Sequence, residues 1–330
     1  MRARKTTISS NSLLVVHGRG FKPPAESLHD IVAAALRAGV ARDYPEYVDA
    51  YDSAAVSLAY YGDLSSDLLS GHGQQYDEQL DMGDRSSALQ SLRNIDVRKQ
   101  FGIRQYDCLP GKTAVPEFVA NFIAPICGAL GMTIPLLARI SRDFAEYLCG
   151  ETAYAEQVRE RLRNQLCEMF DRGDRVMLIT HGTGCVVAYD VLWQLSHEQP
   201  YAEQYSEAKV DNWVTLGAPL GDTSIRKRLL GSTGEPVSYP TNVITWNNVS
   251  AEDDYTCHDN TLADDFKSMV QQRVVSTVND YHVYNHAVRY GKSNPHSSIG
   301  YYIHPRVSKI IADWLRQPML DAEPNYTIRL

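Results

Sequence analysis

The 330-residue chain has no excess of positive charge, no paired-cysteine spacing, no internal repeat and no low-complexity tract. Each absence removes a class of function. A formal net charge of −8 leaves no cationic footprint for nucleic acid or an anionic membrane. The six cysteines (Cys108, Cys127, Cys149, Cys167, Cys185 and Cys257) are scattered without a CxxC pair. They read as buried thiols of a cytoplasmic protein, not as a disulfide framework or a metal site. The basic start, MRARKTTISSNS, is followed by no apolar segment of signal-peptide type before the first strand, so a cytoplasmic location is expected. One long uncharged run exists, FVANFIAPICGALGMTIPLLA at 118–138, close to the roughly 20 residues of a membrane span. Pro125, Gly128, Gly131 and Pro135 break it, and the expectation is two short apolar helices over a pocket rather than a span.

What is present is an alternation of short apolar runs and amphipathic stretches. Strand runs are expected at 12–16, 54–60, 176–180, 212–216, 243–246 and 281–288. Helices are expected at 27–38, with Leu28, Ile31, Val32, Ala35 and Leu36 on one face, and at 154–170, with Val158, Leu162, Leu166 and Phe170 on one face. Two more are expected, opening at Cys185 and closing the chain at 305–315. Buried strands separated by helices give an α/β fold with a mostly parallel sheet covered on both faces. Residues 64–150 carry no clear strand run.

The chain is organised around residues 175–193, RVMLITHGTGCVVAYDVLW. An apolar strand enters a Gly-rich turn, His181-Gly182-Thr183-Gly184, and leaves it as a buried helix. This is the frame of the nucleophile elbow, G-x-S-x-G. Thr180 takes the first glycine position, Gly184 the last, and Gly182 stands where the serine belongs. The turn is present and the nucleophile is missing. Here the chain resembles the α/β-hydrolase family, in particular bacterial esterase- and lipase-like serine hydrolases that read HSMGS-(V/I)-(V/I)-AYDVL where this sequence reads HGTGCVVAYDVL. The resemblance runs from LLVVHGRGFKPP near the N-terminus to HSSIGYYIHPRVSKIIADWL near the C-terminus.

The resemblance implies an α/β-hydrolase core of residues 1–63 and 151–330 with a helical cap, 64–150, inserted between them. It implies acyl transfer by a nucleophile, an acid and a histidine, in that chain order. His296, in the HSS-x-GY pattern, is the expected base, and His304 at the start of the last helix is read as a satisfied surface histidine. His181, His282 and His286 are read as packing or turn residues. The loop after VITW offers Asp253, Asp254 and Asp259; the family's spacing favours Asp254, with Asp253 next. The oxyanion amides fall on Arg19, after His17-Gly18, and on Thr183. Gly18, Tyr61 and Asp63, the last two from the YYGDL strand-end motif, are the expected substrate-binding residues, a solvated loop being the other reading of Asp63. Cys185 and Thr183 are poor replacements for the serine, because neither side chain sits at the elbow position.

Glycine relieves the strain of the elbow and removes covalent catalysis. Two histories fit: deliberate inactivation of a working enzyme, or natural loss leaving a binding protein. The otherwise intact motifs favour the first. The expected activity is hydrolysis of a small-molecule ester with an apolar acyl or aromatic group, with no metal or organic cofactor called for. The alternative is a non-catalytic protein that binds a small apolar ligand or a protein partner on the same scaffold.

Overall fold

Alternation within the two strands richest in aliphatic residues sets the architecture. In β1 (Asn11–Val16), Leu14 and Val16 face one hydrophobic layer while Leu13 and Val15 face the other. In β3 (Arg175–His181), Val176 and Leu178 oppose Met177 and Ile179 in the same way. A strand buried on both faces needs helices on both sides, and the sheet has them. The computed structural model describes residues 10–95, 101–111, 141–149, 152–234, 236–257 and 261–317. With β2 (Ala55–Ala59), β4 (Val210–Leu216), β5 (Val243–Ala251) and β6 (Thr277–Val283) it forms a six-stranded sheet in the order β2-β1-β3-β4-β5-β6. Every neighbouring pair in that sheet is parallel.

Helices Ala153–Arg172 and Gly184–His197 cover one face, through Val158, Leu162, Leu166, Val187 and Val191. Helices Ala25–Asp43 and Pro305–Arg316 cover the other, through Leu28, Val32, Leu36, Val307 and Ile311. The expected helical faces at 27–38 and 154–170 are therefore the buried ones, except that Phe170 is only half-buried.

Two strand expectations need correction. β5 continues five residues past Trp246, because its polar residues are paired across the sheet. Asn247 accepts from Asn279 and donates to Asn212, while Asn248 accepts from Thr215 and donates to Asp280, so burying these amides is not penalised. The last sheet strand is Thr277–Val283, not 281–288. Asn285 ends it by donating to the carbonyls of Pro295 and Ser297, and Val288–Arg289 and Lys292–Ser293 form a separate hairpin.

Between β2 and Ala153–Arg172 the described residues form helices Gly62–Gly71, Glu78–Arg93, Ile103–Asp107 and Arg142–Leu148. Glu78–Arg93 is tied to the small hairpin by a buried ionic cluster, in which Arg289 meets Asp81 and Asp84 and Arg85 meets Asp81. The apolar run 118–138 lies outside the described residues, as does Asp259. Among the described residues no helix is long and apolar enough to cross a membrane.

Candidate active site

The strand order reverses direction between β1 and β3, so the loops leaving those two strands diverge at the C-terminal edge of the sheet, the place where open α/β sheets bind ligands. Gly182 stands at this point. Its N–H donates to the Leu216 carbonyl at 2.9 Å, and its φ of 56° turns the chain sharply into helix Gly184–His197. A side chain at that φ costs roughly 1–3 kcal/mol, a cost glycine avoids. A Cβ built on Gly182 would point at the His296 imidazole, 3.1 Å from Nε2 and 3.2 Å from Cε1.

His296 is held by its other nitrogen. Nδ1 lies 2.9 Å from Oδ2 of Asp254, whose side chain is fully buried while that of His296 is one-quarter exposed. The carboxylate also accepts from the Tyr301 hydroxyl at 2.7 Å and from the Thr256 amide at 3.0 Å. Burial alone would raise the Asp254 pKa. The His296 charge and the hydrogen bonds from His296, Tyr301 and Thr256 outweigh it and bring the group down to about 2. An ionised Asp254 accepts the Nδ1 proton and leaves the Nε2 lone pair on the side of Gly182. Among the described residues Nε2 has no hydrogen-bond partner. Of the two neighbouring acids it is Asp254 that meets the histidine; Asp253 occupies the turn before it, at φ 61°.

The loop after β1 forms the opposite wall. The Cα of Gly18 lies 4.0 Å from the Cβ position of Gly182. The N–H groups of Arg19 and Thr183 have no acceptor among the described residues. The Thr183 amide is at the N-terminus of the 14-residue helix Gly184–His197, where unpaired N–H groups and the helix dipole favour negative charge. The loop is clamped from two sides. The Lys22 ammonium donates to the carbonyls of Arg19, Gly20 and Phe21. Buried Asp143, from helix Arg142–Leu148, accepts from the Gly20 amide at 2.6 Å and from Ser141 at 2.8 Å. Burial lowers the Arg19 pKa, against the pull of the Asp143 and Asp254 charges.

Other expected positions fall as follows. Tyr61 is buried, packs its ring against that of His17 in a tilted contact with centroids 4.0 Å apart, and donates to the His17 carbonyl, so it shapes the turn before Gly18. Asp63 is half-exposed and paired with Arg161 at 2.8 Å; it makes no contact with Gly182, Asp254 or His296 among the described residues. His181 packs its ring 4.6 Å from that of His296, with Nε2 3.0 Å from the His296 carbonyl. His286 packs on Phe101 and Tyr106, and His282 is exposed. His304 is not a surface residue. It is buried as the cap of helix Pro305–Arg316, its Nδ1 accepting from the Arg306 amide, and burial lowers its pKa to about 3. Nor are all the cysteines buried: Cys108 and Cys149 are exposed, and Cys167 is half-buried. Cys185 lies beneath the Gly182 turn against Thr180, and burial pushes its thiol up to about 12, so it holds no thiolate at neutral pH. Among the described residues no group of three or more His, Cys, Asp or Glu side chains could hold a metal ion.

Three contributors were not among the expected site residues. Tyr301 closes the HSS-x-GY pattern that carried His296, and Asp143 stands in helix Arg142–Leu148. Gly217, in the GAPLG turn, has a φ of 56°, and a Cβ there would come within 2.6 Å of the Asp254 carboxylate. Compared with known proteins, the chain matches no family model and no curated protein.

Proposed function

We propose that this chain carries the machinery of an α/β-hydrolase acting on carboxylic esters, with Gly182 at the nucleophile position. The observation that carries the reading is the line from Asp254 through His296 to Gly182. The carboxylate sits 2.9 Å from Nδ1, and Nε2 lies 3.1 Å from the Cβ position of the elbow residue. A serine at 182 is then the nucleophile, His296 its base and Asp254 the group that orients the base. The free Arg19 and Thr183 amides receive the oxyanion, and Gly18 lets the loop after β1 pack close on His181, where a Cβ would come within 3.1 Å of its ring and carbonyl. The cap expected over 64–150 belongs to the same proposal, and the apolar composition of its 118–138 run, outside the described residues, suits an apolar acyl or aromatic group. Cytoplasmic location and a small-molecule ester substrate belong to the same proposal.

The test is a burst experiment. Gly182→Ser should release p-nitrophenol from a p-nitrophenyl ester in a fast phase stoichiometric with protein, followed by slower turnover. A folded Gly182→Ser protein with no burst and no turnover on a broad ester panel removes this reading. One observation favours a second reading, a non-catalytic binder of a small apolar ligand or a protein partner. His296 sits so close to Gly182 that an added Cβ requires it to yield by a few tenths of an ångström. In that case Gly182→Ser destabilises the protein and gains no chemistry.

A further inference from the structure

We infer that the chain as it stands, with Gly182, hydrolyses activated esters without a covalent intermediate, using His296 to activate water. The inference rests on the reading above for the identity of the site but concerns a different reaction. A serine elbow directs the base at its own hydroxyl. Here the base keeps its orienting carboxylate, at 2.9 Å, and has no hydroxyl to serve. Its Nε2 has no partner among the described residues, and the side chain is one-quarter exposed, so bulk water reaches the lone pair. The acceptor side is equally complete. The Arg19 and Thr183 N–H groups are unpaired among the described residues, and the loop that carries Arg19 is held by Lys22 and Asp143.

The reaction balances without any further reagent. A water oxygen bonds to the ester carbonyl carbon while its proton moves to His296 Nε2. The carbonyl oxygen becomes an oxyanion facing the two amides. Collapse breaks the bond to the alcohol oxygen, which takes the proton back from Nε2, and acid and alcohol leave. General-base assistance of this kind contributes typically about 10²–10⁴-fold. Removing the nucleophile from a related constellation leaves on the order of 10³–10⁴ over water. Good leaving groups are the substrates of choice, since no acyl-enzyme is available to split a difficult step in two.

The experiment uses the unaltered protein with p-nitrophenyl acetate. Expected are saturable hydrolysis, slowing in D₂O, no initial burst, and an unchanged intact mass during turnover. His296→Gln should lower kcat/KM on the order of 10²-fold, and Asp254→Asn, which leaves His296 in place, should also lower it. Retention of the rate in His296→Gln, absence of a D₂O effect in the unaltered protein, or an acyl adduct accumulating on any residue overturns the inference. The two failures separate cleanly. If Gly182→Ser gives its burst but the Gly182 protein shows no His296-dependent rate, only this inference falls; if Gly182→Ser gives none, the reading of the scaffold falls.

Discussion

Tyr301 donates its hydroxyl to Oδ2 of Asp254 at 2.7 Å, the same oxygen that meets Nδ1 of His296 at 2.9 Å. The phenol also accepts the Ala251 amide at 2.8 Å, so it links the end of β5 to the acid that follows it. Tyr301 is thus a positioning residue for Asp254. Tyr301→Phe should raise the Asp254 pKa above its value of about 2, because one of three donors to the carboxylate is lost. Carboxyl ¹³C NMR across an acid titration measures it. The depressed pKa also has a stability consequence. Its contribution is present above the ordinary carboxylate value near 3.8 and is lost as pH falls through about 2, so Tyr301→Phe should flatten the melting curve against pH in that window. An unchanged Asp254 titration would show that the phenol serves packing alone.

Gly217 is required by contact as well as by backbone. Gly217→Ala puts a methyl within 2.6 Å of Asp254 Oδ2 and 3.1 Å of His296 Nδ1, at a φ of 56°. The expected cost is about 2–4 kcal/mol, combining backbone strain with displacement of a buried carboxylate. Gly182→Ala carries the same φ penalty but meets only the edge of the His296 ring, so it should cost less. Chemical denaturation of the two variants compares them, and equal losses would contradict the geometry.

Asp143 couples residues outside the sheet to the loop after β1. Asp143→Ala leaves the Gly20 amide without its acceptor and should destabilise the protein by about 1–3 kcal/mol. In a Gly182→Ser background the same change should lower kcat at least about tenfold, as expected when an oxyanion-hole amide is misplaced. Steady-state kinetics beside a melt separates the two effects. A stability loss with kcat unchanged would mean that the clamp does not position Arg19.

Asp190 predicts an unusual pH dependence. It is buried in helix Gly184–His197, accepting from Tyr147 at 2.7 Å and from the Leu230 amide at 3.0 Å, and burial raises its pKa to about 6. The folded state therefore holds a proton that the unfolded state releases near 3.8. Stability from this group is full below that value and is lost as pH rises through about 6. Asp190→Asn should remove that loss and gain roughly 1–3 kcal/mol at pH 7.5, with little change at pH 4. Melts at the two pH values check it, and an unaltered difference between them contradicts it.

Much of this arrangement was legible from residue order. β1 and β3 declared themselves because both faces are buried, which leaves an unbroken apolar run. His296 and Asp254 were named through the family resemblance, from the HSS-x-GY pattern and the acid loop after VITW, and the structure brings their side chains together. The second half of β5 was hidden because its asparagines look like loop residues until the cross-strand amide ladder is seen, and β6 was displaced for a related reason. Tyr301, Gly217 and Asp143 act by direction and contact, which spacing along a chain does not encode. The burial of His304 was missed because a histidine beside Pro305 at a helix start looks the same whether it faces solvent or the core.

The central claim is that residue 182 is a nucleophile position served by His296 and Asp254. Its most direct test is intact-mass analysis of Gly182→Ser after exposure to an active-site-directed fluorophosphonate. The expected result is one phosphonyl adduct per chain on Ser-containing protein, mapped to the peptide spanning position 182. The adduct should be lost in the Gly182→Ser, His296→Ala double variant and absent from the unaltered chain. A folded Gly182→Ser protein that takes up no phosphonate, or one that labels equally well without His296, would contradict the account.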